Sequence, residues 1–243
     1  MGKRDSYDST LLGSEEIARA TRAFHFEKPE GFTFTPCESI DLFLPEDFPG
    51  VTDDRQRSFS LASAPHEDRL TIATRMRKSA YKAPLAAAAP GAKVRIVGPT
   101  GTMSLHDEPD RAIVMIAGGI GITPFISVLR SEAQAARPRP MALIYSNRQP
   151  EDAAYLDELR ALERRLDNLR LIVTMTGTAE GDAWDGETRR IDAEMVREAA
   201  SGLPRPHYYI AGTPDMCEAM RQMLDDMGID DQDIHSEDFT GYT

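Results

Sequence analysis

Residues 112–129 read AIVMIAGGIGITPFISVL, 18 positions between Arg111 and Arg130 without a charge. About 20 apolar residues suffice to cross a bilayer, so hydropathy alone reads a membrane span here. The order of the residues argues against it. Residues 113–116 form a short apolar run rich in β-formers, which predicts a buried strand. Gly118, Gly119 and Gly121 then break it. Thr123 suits a helix N-cap and Pro124 the first helical position. Phe125, Val128 and Leu129 follow at i, i+3 and i+4, one face of a helix. The predicted order is strand, glycine loop, helix.

The same alternation continues to the C-terminus. Apolar runs at 113–116, 142–145, 169–175 and 208–211 alternate with helical stretches at 123–136, 151–166, 192–200 and 214–227. A β-α-β-α order implies a parallel sheet with helices on both faces. Ile210-Ala-Gly-Thr-Pro214 repeats the strand, Gly, Thr, Pro order of the first loop. Upstream, from Ser14 to about Leu105, the pattern is β. Residues 40–44, 70–74 and 94–96 alternate, and turn-forming clusters separate them at 28–31, 45–50, 65–68 and 90–91. Short strands at this spacing predict an antiparallel barrel or sandwich. One short helix is expected around 80–89, and the first ~12 residues, being polar, are expected to fray. The polar stretch 106–110 marks the boundary, giving domains at 1–108 and 109–243.

Composition narrows the function. Lys and Arg number 28 against 40 Asp and Glu, a formal charge of −12. That balance argues against a nucleic-acid binder and against a polybasic grip on anionic lipid. An iron–sulfur cluster takes four cysteines, or two cysteines and two histidines, and Cys37 and Cys217 stand far apart with no C-x-x-C, so no cluster is expected. The five histidines are scattered, with no pair at metal-ligand spacing, so no metal is expected. Free thiols and the lack of a secretory leader point to a reducing, cytoplasmic setting.

In a parallel sheet both glycine loops open at the carboxyl edge, where ligands bind. Helix N-termini there suit a pyrophosphate, and glycine lets the backbone approach it. The loop is not the usual dinucleotide fingerprint, because Pro124 stands where G-x-G-x-x-G needs glycine. Alone it fits a nucleotide loop and a tight packing turn equally. Arg57-Ser-Phe-Ser60 alone reads as a strand with an exposed arginine.

Taken in order, these segments resemble the ferredoxin–NADP reductase-like flavoproteins over residues 14–242. Arg57-Ser58-Phe59-Ser60 matches the flavin motif R-x-[YF]-S, and Gly98-Pro99-Thr100-Gly101 matches G-P-x-G. Gly118-Gly-Ile-Gly-Ile-Thr-Pro124 matches the nicotinamide-nucleotide loop, and Ala211-Gly-Thr-Pro-Asp-Met216 a second one. Glu237-Asp-Phe-Thr-Gly-Tyr242 is similar to the C-terminal motif. The resemblance implies an antiparallel β-barrel flavin domain followed by an α/β parallel-sheet nucleotide domain. It also implies roles. Arg57 pairs with the FAD pyrophosphate, Phe59 lies on the isoalloxazine ring, and Ser60 bonds flavin N5. Ser58 belongs to the same motif. The backbone of Thr74, Arg75 and Met76 follows the flavin tail, and Ser79 and Ala80 its phosphates. Gly119, Gly121, Thr123, Pro124, Gly212 and Thr213 shape the nicotinamide-nucleotide site. Phe239 or Tyr242 covers the ring's other face, and Glu237 sits near the nicotinamide, with Ser60 the second catalytic candidate.

Three departures stand out. Cys37-Glu38 replaces a common Gly-Gln, Ala211 replaces a common cysteine, and Thr243 follows the last tyrosine. Other features read as structural. Met216, Met220, Met223 and Met227 mark a packed helix face. The acids from Asp225 to Asp233 read as a solvated end, and Trp184 either borders the nucleotide or anchors its loop.

The expected function is hydride transfer from NAD(P)H to FAD, then electron transfer to a separate acceptor. That acceptor is a ferredoxin- or flavodoxin-like protein, an oxygenase component or a small molecule. The alternative is a flavin-binding accessory subunit with little turnover of its own. Ser146 and Arg148, at the end of the 142–145 strand, offer a hydroxyl and a cation to a ribose 2′-phosphate, which favours NADPH over NADH. The protein is expected to be a monomer, with no membrane span and no nucleic-acid partner.

Overall fold

The computed structural model describes residues 5–101, 103–178 and 183–239. Its first half contains β1 (Ser6–Ala18), β2 (Thr21–Glu27), β3 (Ser39–Phe43), β4 (Gln56–Ser60), β5 (Arg69–Arg75), the helix α1 (Lys82–Ala87) and β6 (Lys93–Thr100). The strands form one antiparallel sheet in the order β4-β3-β6-β1-β2-β5. Leu61 bridges to Ile72, which brings the two end strands together and curls the sheet into a barrel. Phe24, Phe26, Leu42, Leu70 and Ile96 fill it, each fully buried.

The N-terminal segment differs from expectation. Residues 6–12 do not fray, because β1 runs between β6 and β2 and pairs along both edges. Its polar side chains bond to their neighbours. Ser9 Oγ donates to Glu27 O at 2.8 Å and Lys93 Nζ donates to Thr10 Oγ1 at 2.9 Å. Polarity hid a strand whose backbone is satisfied by pairing.

The second half contains β7 (Ile113–Gly118), α2 (Thr123–Glu132), β8 (Met141–Asn147), α3 (Leu156–Arg165), β9 (Leu169–Met175), α4 (Ala193–Ala200), β10 (His207–Gly212), α5 (Pro214–Asp226) and β11 (Ile234–Asp238). All strand pairs are parallel, in the order β11-β10-β7-β8-β9. Ile113, Met115 and Ala117 pack with α2 and α3, while Val114 and Ile116 pack with α4 and α5. Met216, Met220, Met223 and Met227 lie against the second layer, as their spacing predicts.

Three local features depart from the sequence reading. Thr123 does not cap α2. A 3-10 turn over Gly119–Ile122 leads straight into the helix, and the Thr123 hydroxyl donates back to Ile120 O at 3.0 Å. The predicted helix 151–166 is interrupted, because Tyr155 takes a left-handed φ of 60° and Asp152 turns to pair with Arg19 of the barrel at 2.8 Å. β11 escaped notice because IHSED holds one apolar residue, which an edge strand tolerates.

The connection between the sheets is fastened at the amino edge of the parallel sheet. His106 stacks on His207 with centroids 4.0 Å apart, and His207 Nδ1 lies 3.2 Å from His235 Nε2. Arg111 pairs with Asp233 at 2.7 Å and Glu108 faces His207 at 3.3 Å, so Asp233 is no solvated acid. Burial and the neighbouring His207 lower the pKa of His106 to about 4, and the same two causes lower that of His235. His106 stays neutral in the fold down to about pH 4, and His235 is harder to protonate there than in the unfolded chain, which takes up protons below about pH 6.5. Stability should therefore fall as pH drops from about 6.5 toward 4. Melting temperatures measured between pH 7.5 and 5 should decline through that window, before most carboxylates titrate. A flat profile above pH 5 would contradict neutral burial.

Candidate active site at the junction of the sheets

β3 and β4 lie side by side with Ser39 opposite Ser60. β11 is in register with β10 so that Glu237 stands beside Ala211. That places Glu237 of the parallel sheet against the barrel. Ser39 Oγ donates to Glu237 Oε1 at 3.2 Å, and Ser60 Oγ donates to Glu237 Oε2 at 3.2 Å. Burial pushes the Glu237 carboxyl above its ordinary range, and the two serine hydrogen bonds oppose that rise.

These residues line a cleft of about 530 Å³. Phe59, Ala73, Ile120 and Phe239 give it apolar wall, while Arg57, Arg77, Lys78, Ser79 and Lys82 form a cationic end. Phe59 packs on Tyr81 at 6.0 Å, and the Arg57 guanidinium lies 5.5 Å over the same ring. Arg57 also forms a two-pronged ion pair with Asp54. Lys82 Nζ donates to Arg75 O at 3.0 Å. Burial, then the nearby Arg57 and Arg77, lowers its pKa to about 8. A cluster of cations that destabilise one another suits an anion, in a molecule whose net charge is −12.

The predicted residues divide in space. Arg57, Ser58, Phe59, Ser60, Ser79, Thr123, Glu237 and Phe239 line the cleft together. Ser58 donates its hydroxyl to Asp41. Ser79 takes the N–H groups of Tyr81 and Lys82 at 3.3 Å, starting α1. Ala80 is exposed beside it. Thr74 is buried in the barrel wall, and Met76 N donates to Ala20 O at 2.7 Å, so that amide is not available to a flavin tail. Tyr242 lies outside the described residues.

The glycine loops meet each other at the carboxyl edge. A Cβ on Gly121 would stand 2.1 Å from Ala211 O, so this glycine is required by the approach of two backbones. Gly119 has φ +55°, and Arg75 Nη2 reaches to 3.7 Å from where its Cβ would be. Gly212 and Pro124 are buried, while Thr213 caps α5 by accepting from Met216 N at 3.4 Å. Ser146 is paired beside Gly118 in the ladder, and Arg148 is exposed just beyond it. Trp184 anchors its own loop, donating Nε1 to Glu187 O at 2.9 Å. Cys37 is fully buried at φ 75°, a conformation that glycine adopts more easily.

Sequence reasoning passed over Ser39, Arg77, Lys78, Lys82 and Ile120. Ser39 carried a signal only through its register with Ser60, which strand pairing decides. Lys82 lies three residues after Ser79, one helical turn, a spacing readable once α1 is placed.

Residues 115–222 match the oxidoreductase NAD-binding domain family. The whole chain is similar to ferredoxin–NADP reductase B of Sorangium cellulosum, 30% identical over 247 residues, 98% of this chain and 99% of that one. It is 26% identical to the reductase component of propane 2-monooxygenase from Mycolicibacterium smegmatis, over 88% of this chain but only 61% of that longer protein. Its fold matches a ferredoxin NADP+ reductase from Neisseria gonorrhoeae, solved with bound FAD and NADP, at a TM-score of 0.77 and 22% identity, covering 96% of this chain and 98% of that one.

Proposed function

This chain belongs to the ferredoxin–NADP reductase family, and from that membership we propose how its own residues serve the reaction. It is a flavin-dependent oxidoreductase in which bound FAD takes hydride from NAD(P)H and passes electrons on to a separate acceptor. The residues of the cleft suit that cofactor, with cations for a pyrophosphate at one end and apolar wall for a flat ring.

The observation that carries the reading is the Ser60–Glu237–Ser39 cluster at the floor of that cleft. Ser60 offers a hydroxyl to the reacting edge of the flavin. Glu237, whose carboxyl burial pushes above its ordinary range against the two serine hydrogen bonds, places a titratable acid at the junction. Arg57 binds the FAD pyrophosphate once it releases Asp54, with Arg77, Lys78 and Lys82 beside it. Phe59 and Phe239 enclose the ring, and Arg75, Gly119 and the α2 entrance receive the nicotinamide nucleotide. The assembly fixes donor and acceptor in contact, which supplies most of the rate in such a transfer. The FAD part comprises residues 1–108 and the nucleotide part 109–243, a division favoured by β6 ending at Thr100 and β7 starting at Ile113.

The acceptor is a ferredoxin- or flavodoxin-like protein or an oxygenase component. The buried free thiols favour a cytoplasmic setting, and Leu12 as the exposed large apolar residue among those described favours a monomer. Among the described residues no helix is long and apolar enough to cross a membrane.

NADPH is the preferred donor, because Ser146 and exposed Arg148 close the edge of β8 where a 2′-phosphate would lie. A charged hydrogen bond contributes about 1.5–3 kcal/mol, roughly ten- to hundredfold. Flavin reduction assayed with each nucleotide tests this reading. NADPH should reduce the bound flavin faster than NADH, and Arg148→Ala should lower kcat/KM for NADPH about tenfold or more and spare NADH. Equal losses would place Arg148 on the shared part of the nucleotide, and no reduction by either would overturn the function.

A further inference from the structure

We propose that Ser39 is a positioning residue, whose hydroxyl holds the Glu237 carboxyl at the junction so that Ser60 can turn its own hydroxyl to the flavin. The proposal rests on the reading that Ser60 and Glu237 face the flavin ring.

Two serines and two carboxylate oxygens are matched one to one. Ser39 Oγ meets Oε1 and Ser60 Oγ meets Oε2, each at 3.2 Å. A serine hydroxyl has one proton to donate, so Ser60 cannot donate to Glu237 and to an acceptor on the flavin edge at once. When it turns away, Ser39 is the remaining side-chain donor that the structure gives to this carboxyl among the described residues.

The two partners also differ in rigidity. Ser39 is 5% exposed and sits on β3, which is paired on both sides by β4 and β6. Its carbonyl accepts from Thr100 Oγ1 at 3.1 Å. Glu237 is carried by β11, an edge strand held by β10 alone. The fixed serine therefore locates the carboxylate of the less restrained strand. The contact also crosses from barrel to parallel sheet, so it sets where the acid stands relative to the flavin side.

Electrostatics gives the consequence a sign. A hydroxyl donor stabilises the charged carboxylate and lowers its pKa. Burial already pushes the Glu237 pKa up, and the Ser39 hydrogen bond is one of two contacts opposing this. Losing the Ser39 hydroxyl should raise it further and let the side chain move.

The experiment compares Ser39→Thr with Ser39→Val in the full chain. Thr and Val have nearly the same shape, Val carrying a methyl where Thr carries the hydroxyl, so the cost of the one methyl that each adds beside that position is common to both. The first readout is infrared titration of the 13C-labelled Glu237 carboxyl, assigned by its loss in Glu237→Gln, with and without FAD. The second is the pH profile of single-turnover flavin reduction. Ser39→Thr should titrate like the wild type, and Ser39→Val should shift upward by about one pH unit or more in both readouts. Identical titrations for the two variants would overturn the role of Ser39. If Glu237→Gln leaves the wild-type pH profile unchanged, the reading of Glu237 at the flavin fails and the proposal falls with it. If Glu237→Gln flattens the profile while Thr and Val agree, only the Ser39 assignment is lost.

Discussion

Gly121→Ala is expected to lower the melting temperature by roughly 6–12 °C and to abolish nucleotide binding at temperatures where the wild type is intact. A Cβ at this position would stand 2.1 Å from Ala211 O and 2.5 Å from its carbonyl carbon. Those are backbone atoms of β10, which is paired on both sides by β11 and β7, and they cannot swing aside. Overpacking costs about 1–3 kcal/mol in ordinary cores, and a clash between two backbones belongs at the upper end. Each kcal/mol is about 2–4 °C in a chain of this size. Gly118→Ala makes a useful contrast. Its Cβ would meet the Met216 thioether at 2.2 Å, the end of a flexible side chain. That substitution should cost much less. Scanning calorimetry of both variants checks the ordering. A melting temperature for Gly121→Ala within 2 °C of the wild type would mean the two loops do not meet as described.

Ser60→Ala should slow flavin reduction by about tenfold to a hundredfold while FAD stays bound. A positioned donor where charge develops is worth about 2.7–4 kcal/mol in its most favourable settings. The expected loss is smaller, because backbone groups and water can also reach the ring edge. Ser60 is 4% exposed and its removal leaves the cationic end of the cleft untouched, which separates rate from binding. Single-turnover stopped flow measures the rate, and absorbance of bound flavin measures occupancy. An unchanged rate would remove Ser60 from the reacting edge. Loss of FAD with no change in rate for the remaining holoprotein would make Ser60 a binding residue instead.

The parts that were legible in the sequence are those fixed by local chemistry. The run from Ala112 to Leu129 announces strand, loop and helix because apolar periodicity changes from continuous to helical across three glycines. The loops Gly121-Ile-Thr-Pro124 and Gly212-Thr-Pro214 mark the carboxyl edge for the same reason. What stayed hidden depends on pairing across distance. β1 looked like a frayed terminus because its polar side chains find partners on β2 and β6 rather than in the core. β11 was passed over as a strand because an edge strand needs few apolar residues. Thr123 looked like a cap, yet the 3-10 turn before it makes the helix start from the loop itself. At the site, the R-x-[YF]-S segment drew attention to Ser60, but Ser39 became visible only when β3 and β4 were in register. Asp54, which holds Arg57, and Lys82, which joins the cationic end from the start of α1, are both set by tertiary placement that no short motif encodes.

Calorimetric titration of the flavin-free protein tests most directly whether the cleft between the barrel and the parallel sheet holds FAD. FAD should bind at one mole per mole, and FMN, which lacks the pyrophosphate linkage that Arg57, Arg77, Lys78 and Lys82 would grip, should bind at least tenfold more weakly. Equal affinity for the two, or no binding of either, would contradict that placement.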